Sequence, residues 1–187
     1  GLKNVFVTNG YMTPEMLEAL HPNLQAANVD LKAFRQDFYK TQCGAKLAPV
    51  LENLKIMKRL GVWVEITTLI IPTLNDSKEE LRELSRFIAD ELGRETPWHI
   101  SRFHPTYRLT DLPVTPVKTL QQAREIGQEQ GLRYVYTGNV PGDQGEKTFC
   151  YQCGHLLLDR FGFSILKNNL DKGKCPHCQT PMDGVGL

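Results

Sequence analysis

The chain has 187 residues, 23% of them charged, and a formal net charge of +1. That length allows one good-sized core, or one domain with a small appendage, and the near-neutral balance excludes a general attraction to nucleic acid or to an acidic membrane. No apolar run approaches the roughly 20 residues that cross a bilayer and the first residues lack a secretory pattern, so the expectation is a cytoplasmic protein with no membrane partner.

The chain lacks an initiator Met and enters a β-rich run at Val5-Phe6-Val7 almost at once, which suggests a fragment whose front is missing. Short β-rich runs over residues 5–8, 27–31, 62–71, 99–103 and 133–137 then alternate with amphipathic stretches. Thr13-Pro14, Ser77 with Glu80 three residues on, and Thr115-Pro116 are helix N-cap signals, while Gly61, Gly93 and Gly131 stand where a left-handed C-cap belongs. Helices are therefore expected over 13–20, 46–60, 77–92 and 116–130. Strand and helix alternating through short loops mean an α/β fold with parallel strands and right-handed crossovers, either an open doubly wound sheet or a barrel.

In both architectures the chemistry lies beyond the carboxyl ends of the strands. Four such ends carry polar groups: Thr8-Asn9-Gly10, Asp30-Leu31-Lys32, Thr73-Leu74-Asn75-Asp76 and His104-Pro105-Thr106-Tyr107. Residues 73–76 read most simply as a turn with a capping side chain. Asp30 and Lys32 flank Leu31 and point to one side of an extended chain, at the end of an interior strand where unpaired charges are costly, so they either meet a ligand or pair with each other.

After Thr137 the texture changes to a Gly- and Pro-containing linker, dividing the chain into residues 1–140 and 141–187. The second part carries Cys150-Tyr151-Gln152-Cys153 and Cys175-Pro176-His177-Cys178. Two such knuckles separated by a β-rich hairpin suit one tetrahedral metal ion, and four thiolates suit zinc or a single rubredoxin-type iron. An appendage this small needs such a staple, and a full set of four protein ligands leaves no open position for substrate, so the role is structural. His155 and His177 read as surface residues beside the knuckles, and Cys43 as a plain half-buried thiol.

The order of T-N-G at one strand end, D-L-K at the next, a long apolar strand into Pro72 and Asn75-Asp76, and a strand ending in His104 resembles the C-terminal half of radical S-adenosylmethionine (SAM) enzymes related to pyruvate formate-lyase activating enzyme. More narrowly, W-H-I-S-R-F-H-P, Y-V-Y-T-G-N and the terminal knuckles resemble the radical enzyme of the AmmeMemoRadiSam system. The resemblance implies a partial (β/α)6 barrel of which this chain supplies the later strands, followed by a rubredoxin-like zinc ribbon. It implies SAM contacts from Thr8, Asn9, Asp30, Lys32 and His104, with Ile70 and Ile71 available as an apolar wall for adenine. It also implies a [4Fe-4S] cluster held by a C-x-x-x-C-x-x-C loop outside this chain, and a 5′-deoxyadenosyl radical that abstracts hydrogen from an unknown protein or small-molecule substrate, with this chain inactive alone. Some relatives carry an acid before T-N-G where Val7 stands, and an Arg where Thr67 stands; the first departure argues against a cation site near Thr8, and the second leaves open whether Glu65 takes over the Arg's role.

Two other readings fit the same residues. Lys32, desolvated beside Asp30, would form a Schiff base in a barrel lyase. Alternatively, the chain is a binding module whose zinc ribbon docks a partner protein; the neutral charge and the lack of a basic-aromatic cluster argue against nucleic acid.

Overall fold

A computed structural model of the chain describes residues 1–186; Leu187, the last residue of the expected second part, lies outside the described residues. The first sheet has five strands, β1 (Val5–Thr8), β2 (Ala26–Asp30), β3 (Trp63–Ile70), β4 (Trp98–Arg102) and β5 (Val135–Gly138). All neighbours are parallel, and their spatial order is their sequence order. With right-handed crossovers that never reverse direction, every connecting helix is laid on the same face of the sheet. A doubly wound sheet needs a reversal, so the observed order is the barrel-like alternative.

The burial pattern of β3 follows from this arrangement. Val64, Ile66, Thr68 and Ile70 are buried toward the helices, whereas Trp63, Glu65 and Thr67 are half-buried and Leu69 exposed on the open face. The helices are α1 (Pro14–Leu20), α2 (Gln36–Gln42), α3 (Leu47–Arg59), α4 (Lys78–Phe87, continued by a π-turn at Ile88–Leu92) and α5 (Val117–Glu129). Leu17, Val50, Leu54, Met57, Leu81, Leu84, Leu120 and Ile126 join Val29, Ile66, Trp98 and Ile100 in one apolar core between helices and sheet. Trp98 is fully buried. A methyl on Gly127 of α5 would stand 2.9 Å from its ring, so only glycine lets helix and strand approach this closely.

Most local signals act as expected. Thr13 accepts from the Met16 amide, Ser77 accepts from the Glu80 amide, and Gly61, Gly93 and Gly131 all have positive φ. Three details differ. Helix α2 lies outside the expected helices: it is as short as α1, at seven residues, but Arg35 at its start makes no capping hydrogen bond, so it lacks the signal that Thr13-Pro14 gives α1. Glu80 does not close a capping box: its Oε1 accepts from the Phe34 amide at 2.8 Å, tying α4 to the loop after β2. Thr115 does not cap α5, which starts from Pro116 without a side-chain cap; its hydroxyl donates to the Ile70 carbonyl and accepts from the Phe103 amide, bridging the ends of β3 and β4.

Beyond β5 a second, antiparallel sheet of three strands forms from β6 (Thr148–Phe149), β7 (Leu156–Phe161) and β8 (Ser164–Asn168). Its core is tiny, with Cys150, Leu157 and Cys175 buried and Leu170, Cys178 and Met182 packed against them. It is fastened to β5 by polar contacts. Tyr136 shares a hydrogen bond with Thr148, and the Asp183 carboxylate accepts from Arg133 at 2.8 Å and from the Tyr134 hydroxyl at 3.1 Å.

Candidate functional site

Strand register builds a polar row on the open face. Asp30, Thr67, His99 and Tyr136 are successive partners across β2, β3, β4 and β5. Beneath the row, Thr67 donates to Asn28 Oδ1 at 2.8 Å and Trp63 donates to Glu65 Oε1 at 3.1 Å. Glu65 Oε2 meets His99 Nε2 at 2.8 Å, and this bond above all holds the Glu65 carboxyl below the usual carboxylate range. His99 stacks on Tyr136, and Arg160 of the second sheet lies over the same ring. Burial pushes the Tyr136 phenol up.

At the carboxyl end of the row, Lys32 Nζ and Asp30 Oδ2 form an ion pair at 2.8 Å, with side chains 40% and 38% exposed. The two charges do share one side of the chain, and they take the mutual pairing that the sequence allowed. They stand on the wall of a cavity of about 530 Å3 whose other walls include Phe38, Cys43, Leu69, Ile71, Phe103 and Tyr107. Burial pushes the Cys43 thiol up.

The backbone that carries Lys32 is fixed from four directions. Its amide donates to the Tyr39 hydroxyl at 3.1 Å, its carbonyl accepts from Asn75 Nδ2 at 2.7 Å, the Leu31 carbonyl accepts from Thr68, and the Phe34 amide donates to Glu80. Burial pushes the Tyr39 phenol up to about 12. Asn75 is itself buried, and also donates to the Leu69 carbonyl and accepts from the Ile71 amide. The turn at residues 73–76 therefore clamps the ends of two strands as well as reversing the chain.

The remaining expected residues are placed differently. Thr8 accepts from the Gly10 amide and Asn9 from the Tyr11 amide, at the end of the edge strand and outside the cavity walls. Gly10 has φ +70°, and a methyl there would stand 2.8 Å from Val29. His104 is exposed between Phe103 and Thr106, which line the cavity while His104 does not. Ile71 lines the cavity, whereas Ile70 is buried in the helix-side core.

The four terminal cysteines converge, with all Sγ atoms within 4.8 Å of one another and no other residue in the group. Sγ separations of 3.5 Å (Cys150 to Cys178) and 3.6 Å (Cys153 to Cys175) are close to the about 3.8 Å edge of a tetrahedron with 2.3 Å metal–sulfur bonds. The knuckles repeat each other: the amide of Gly154 returns to the Cys150 carbonyl and that of Gln179 to the Cys175 carbonyl, each from a positive φ. The Thr180 hydroxyl and amide lower the Cys178 thiol, whereas desolvation and the three neighbouring thiols raise that of Cys153. The donor set and its geometry fit a thiophilic ion.

Comparison with known proteins agrees with this architecture. The Radical SAM superfamily model matches residues 1–88. An uncharacterized protein of Methanocaldococcus jannaschii, MJ0808, is 50% identical over 187 residues, covering 99% of this chain and 55% of that protein, so the chain spans a little over half of its relative. Among solved structures, a domain of a pyruvate-formate lyase-activating enzyme from Bacteroides vulgatus superposes with TM-score 0.63 at 17% identity, over 72% of this chain and 80% of that one. A radical SAM methyltransferase from Sphaerobacter thermophilus gives 0.61 at 15% identity, over 83% and 45%. SuiB of Streptococcus suis bound to S-adenosylmethionine gives 0.59 at 14% identity, over 74% and 33%. At these identities the structures establish a shared fold, and the superfamily match supports a radical SAM-type domain.

Proposed function

We propose that this chain is the cofactor-binding part of a radical SAM enzyme of the activating-enzyme type, within the AmmeMemoRadiSam group, and that it seats SAM at the ends of β2, β3 and β4. The observation that carries this reading is the Asp30–Lys32 pair on a largely apolar cavity, held by a backbone with its own hydrogen bonds satisfied. A zwitterionic, partly aromatic ligand fits such walls. Lys32 neutralises a carboxylate, Asp30 accepts from an ammonium or from ribose hydroxyls, and Ile71 and Phe103 supply apolar surface for a base. His104 contributes from the rim, and Thr8 and Asn9 from the neighbouring strand end.

Four of the five cysteines form the metal quartet and Cys43 stands apart from them, so the three thiolates of a [4Fe-4S] cluster come from outside this chain. When bound, that cluster supplies the electron that splits SAM into methionine and a hydrogen-abstracting 5′-deoxyadenosyl group. The quartet holds zinc and ties the two knuckles of the small sheet to each other. The Schiff-base reading is weaker, because Lys32 is ion-paired and 40% exposed where that chemistry calls for a desolvated amine.

The test is reductive 5′-deoxyadenosine formation by the protein that joins this chain to its cluster-bearing region. Product in the parent and a loss of SAM affinity in Lys32→Met and Asp30→Asn support the assignment. No product from cluster-loaded protein, or a borohydride-trapped adduct mapped to Lys32, overturns it.

A further inference from the structure

A second cavity, of about 600 Å3, lies between the C-terminal end of α5 and the cysteine-bearing sheet; it shares no wall residue with the strand-end cavity, although Tyr136 of the polar row lines it. Four cations stand in its walls, Arg94, Arg124, Arg133 and Lys147, with no carboxylate among the lining residues. For a chain of net charge +1 this is a strong local concentration of one sign. Arg133 and Lys147 are partly offset by Asp183 at 2.8 Å and Asp159 at 3.1 Å, carboxylates that lie outside the lining.

Arg94 and Arg124 have no ion pair among the described residues, yet both are positioned. Arg124 Nε donates to the Val135 carbonyl at 3.1 Å, which fixes the guanidinium plane and leaves its terminal amino groups without a protein partner among the described residues. Arg94 lies flat against Gly131: a methyl at that glycine, whose φ is +91°, would stand 3.3 Å from Nε and 3.5 Å from Cζ. Arg124 is thus held by a backbone carbonyl and Arg94 packs against Gly131, neither of them by an acid, which keeps their donors free for an anion. Tyr134 and Tyr151 add aromatic wall.

We propose that this cleft is a binding site for a phosphate-bearing ligand of nucleotide size. Guanidinium forks match phosphate oxygens in pairs, the volume suits a small molecule, and the aromatic wall suits an attached ring. The proposal stands apart from the strand-end reading, since the two cavities share no wall residue.

Calorimetric titration of the zinc-loaded chain with ADP and with inorganic pyrophosphate tests it. Both should bind, more weakly as salt rises, and Arg94→Gln or Arg124→Gln should each cost about ten- to a hundredfold in affinity. Arg124→Lys should lose most of the effect despite its retained charge, whereas Lys3→Gln, exposed beside the opposite edge strand β1, should change nothing. Tighter binding of ADP than of pyrophosphate assigns the aromatic wall to the base; equal binding assigns recognition to the phosphates alone. Thermal unfolding and zinc content of the variants should match the parent, so that lost binding is not lost folding. No binding of either ligand, affinities unchanged in both arginine variants, stronger binding of an oligoglutamate peptide, or binding that is lost in Lys32→Gln but kept in the arginine variants would each overturn the assignment.

Discussion

Replacing Asn75 by Ala removes three hydrogen bonds at one stroke, from the Ile71 amide (2.7 Å) and to the carbonyls of Lys32 (2.7 Å) and Leu69 (2.9 Å). The site is 2% exposed, so water does not readily replace the lost partner. A buried backbone group left unsatisfied costs about 1–3 kcal/mol, and discounting for partial water entry puts the total at about 3–4 kcal/mol. For a chain of this length that is a fall in melting temperature of about 6–15 °C. Asn75→Asp separates the parts of the effect: the carboxylate still accepts from Ile71 but faces two carbonyl oxygens unless protonated. Its folded pKa is therefore raised, so the variant approaches the parent below the ordinary carboxylate pKa and loses stability as pH rises above it. Differential scanning calorimetry of parent, Asn75→Ala and Asn75→Asp from pH 4 to 8 measures both. A cost under about 1 kcal/mol for Ala, or an Asp variant whose deficit does not grow with pH, refutes the clamp.

Elemental analysis should find one zinc per chain, and stripping it with a chelator under reducing conditions should unfold the small sheet while the parallel sheet retains its circular dichroism; iron with a red chromophore would instead mark a rubredoxin-type site. Glu65→Gln should cost about 0.5–1 kcal/mol near neutrality by weakening the bond to His99. Because the folded Glu65 pKa is depressed, its contribution is fully present above the ordinary carboxylate pKa and fades as pH falls through the folded value, so denaturation midpoints of parent and variant should converge in acid.

What the sequence made legible is local. The β-rich run of β3, the caps at Thr13 and Ser77, the left-handed glycines and the cysteine knuckles all depend on neighbours within a few residues, and the shared side of Asp30 and Lys32 follows from strand geometry alone. The clamp was not legible, because its contacts span the chain. Asn75 reaches Lys32 across 43 positions, Glu80 reaches Phe34 across 46, and Thr115 reaches Ile70 across 45, so each side chain was read by its nearest role as a turn or cap residue. Asp183, which fastens the small sheet to β5 from 49 and 50 positions away, gave no local signal at all. The cysteine spacing, by contrast, announced its own contact, since C-x-x-C repeated across a hairpin has few other uses.

The most direct test of the central claim is equilibrium binding of SAM to this chain, compared across the parent, Asp30→Asn, Lys32→Met and the surface control Lys55→Gln. The parent and control should bind alike, weakly in the absence of the cluster region, with saturation-transfer NMR showing contact to the adenosine protons. Each strand-end variant should weaken binding about tenfold or more, the worth of one charge-assisted hydrogen bond. Equal affinity in all four proteins, or no binding by the parent, would contradict it.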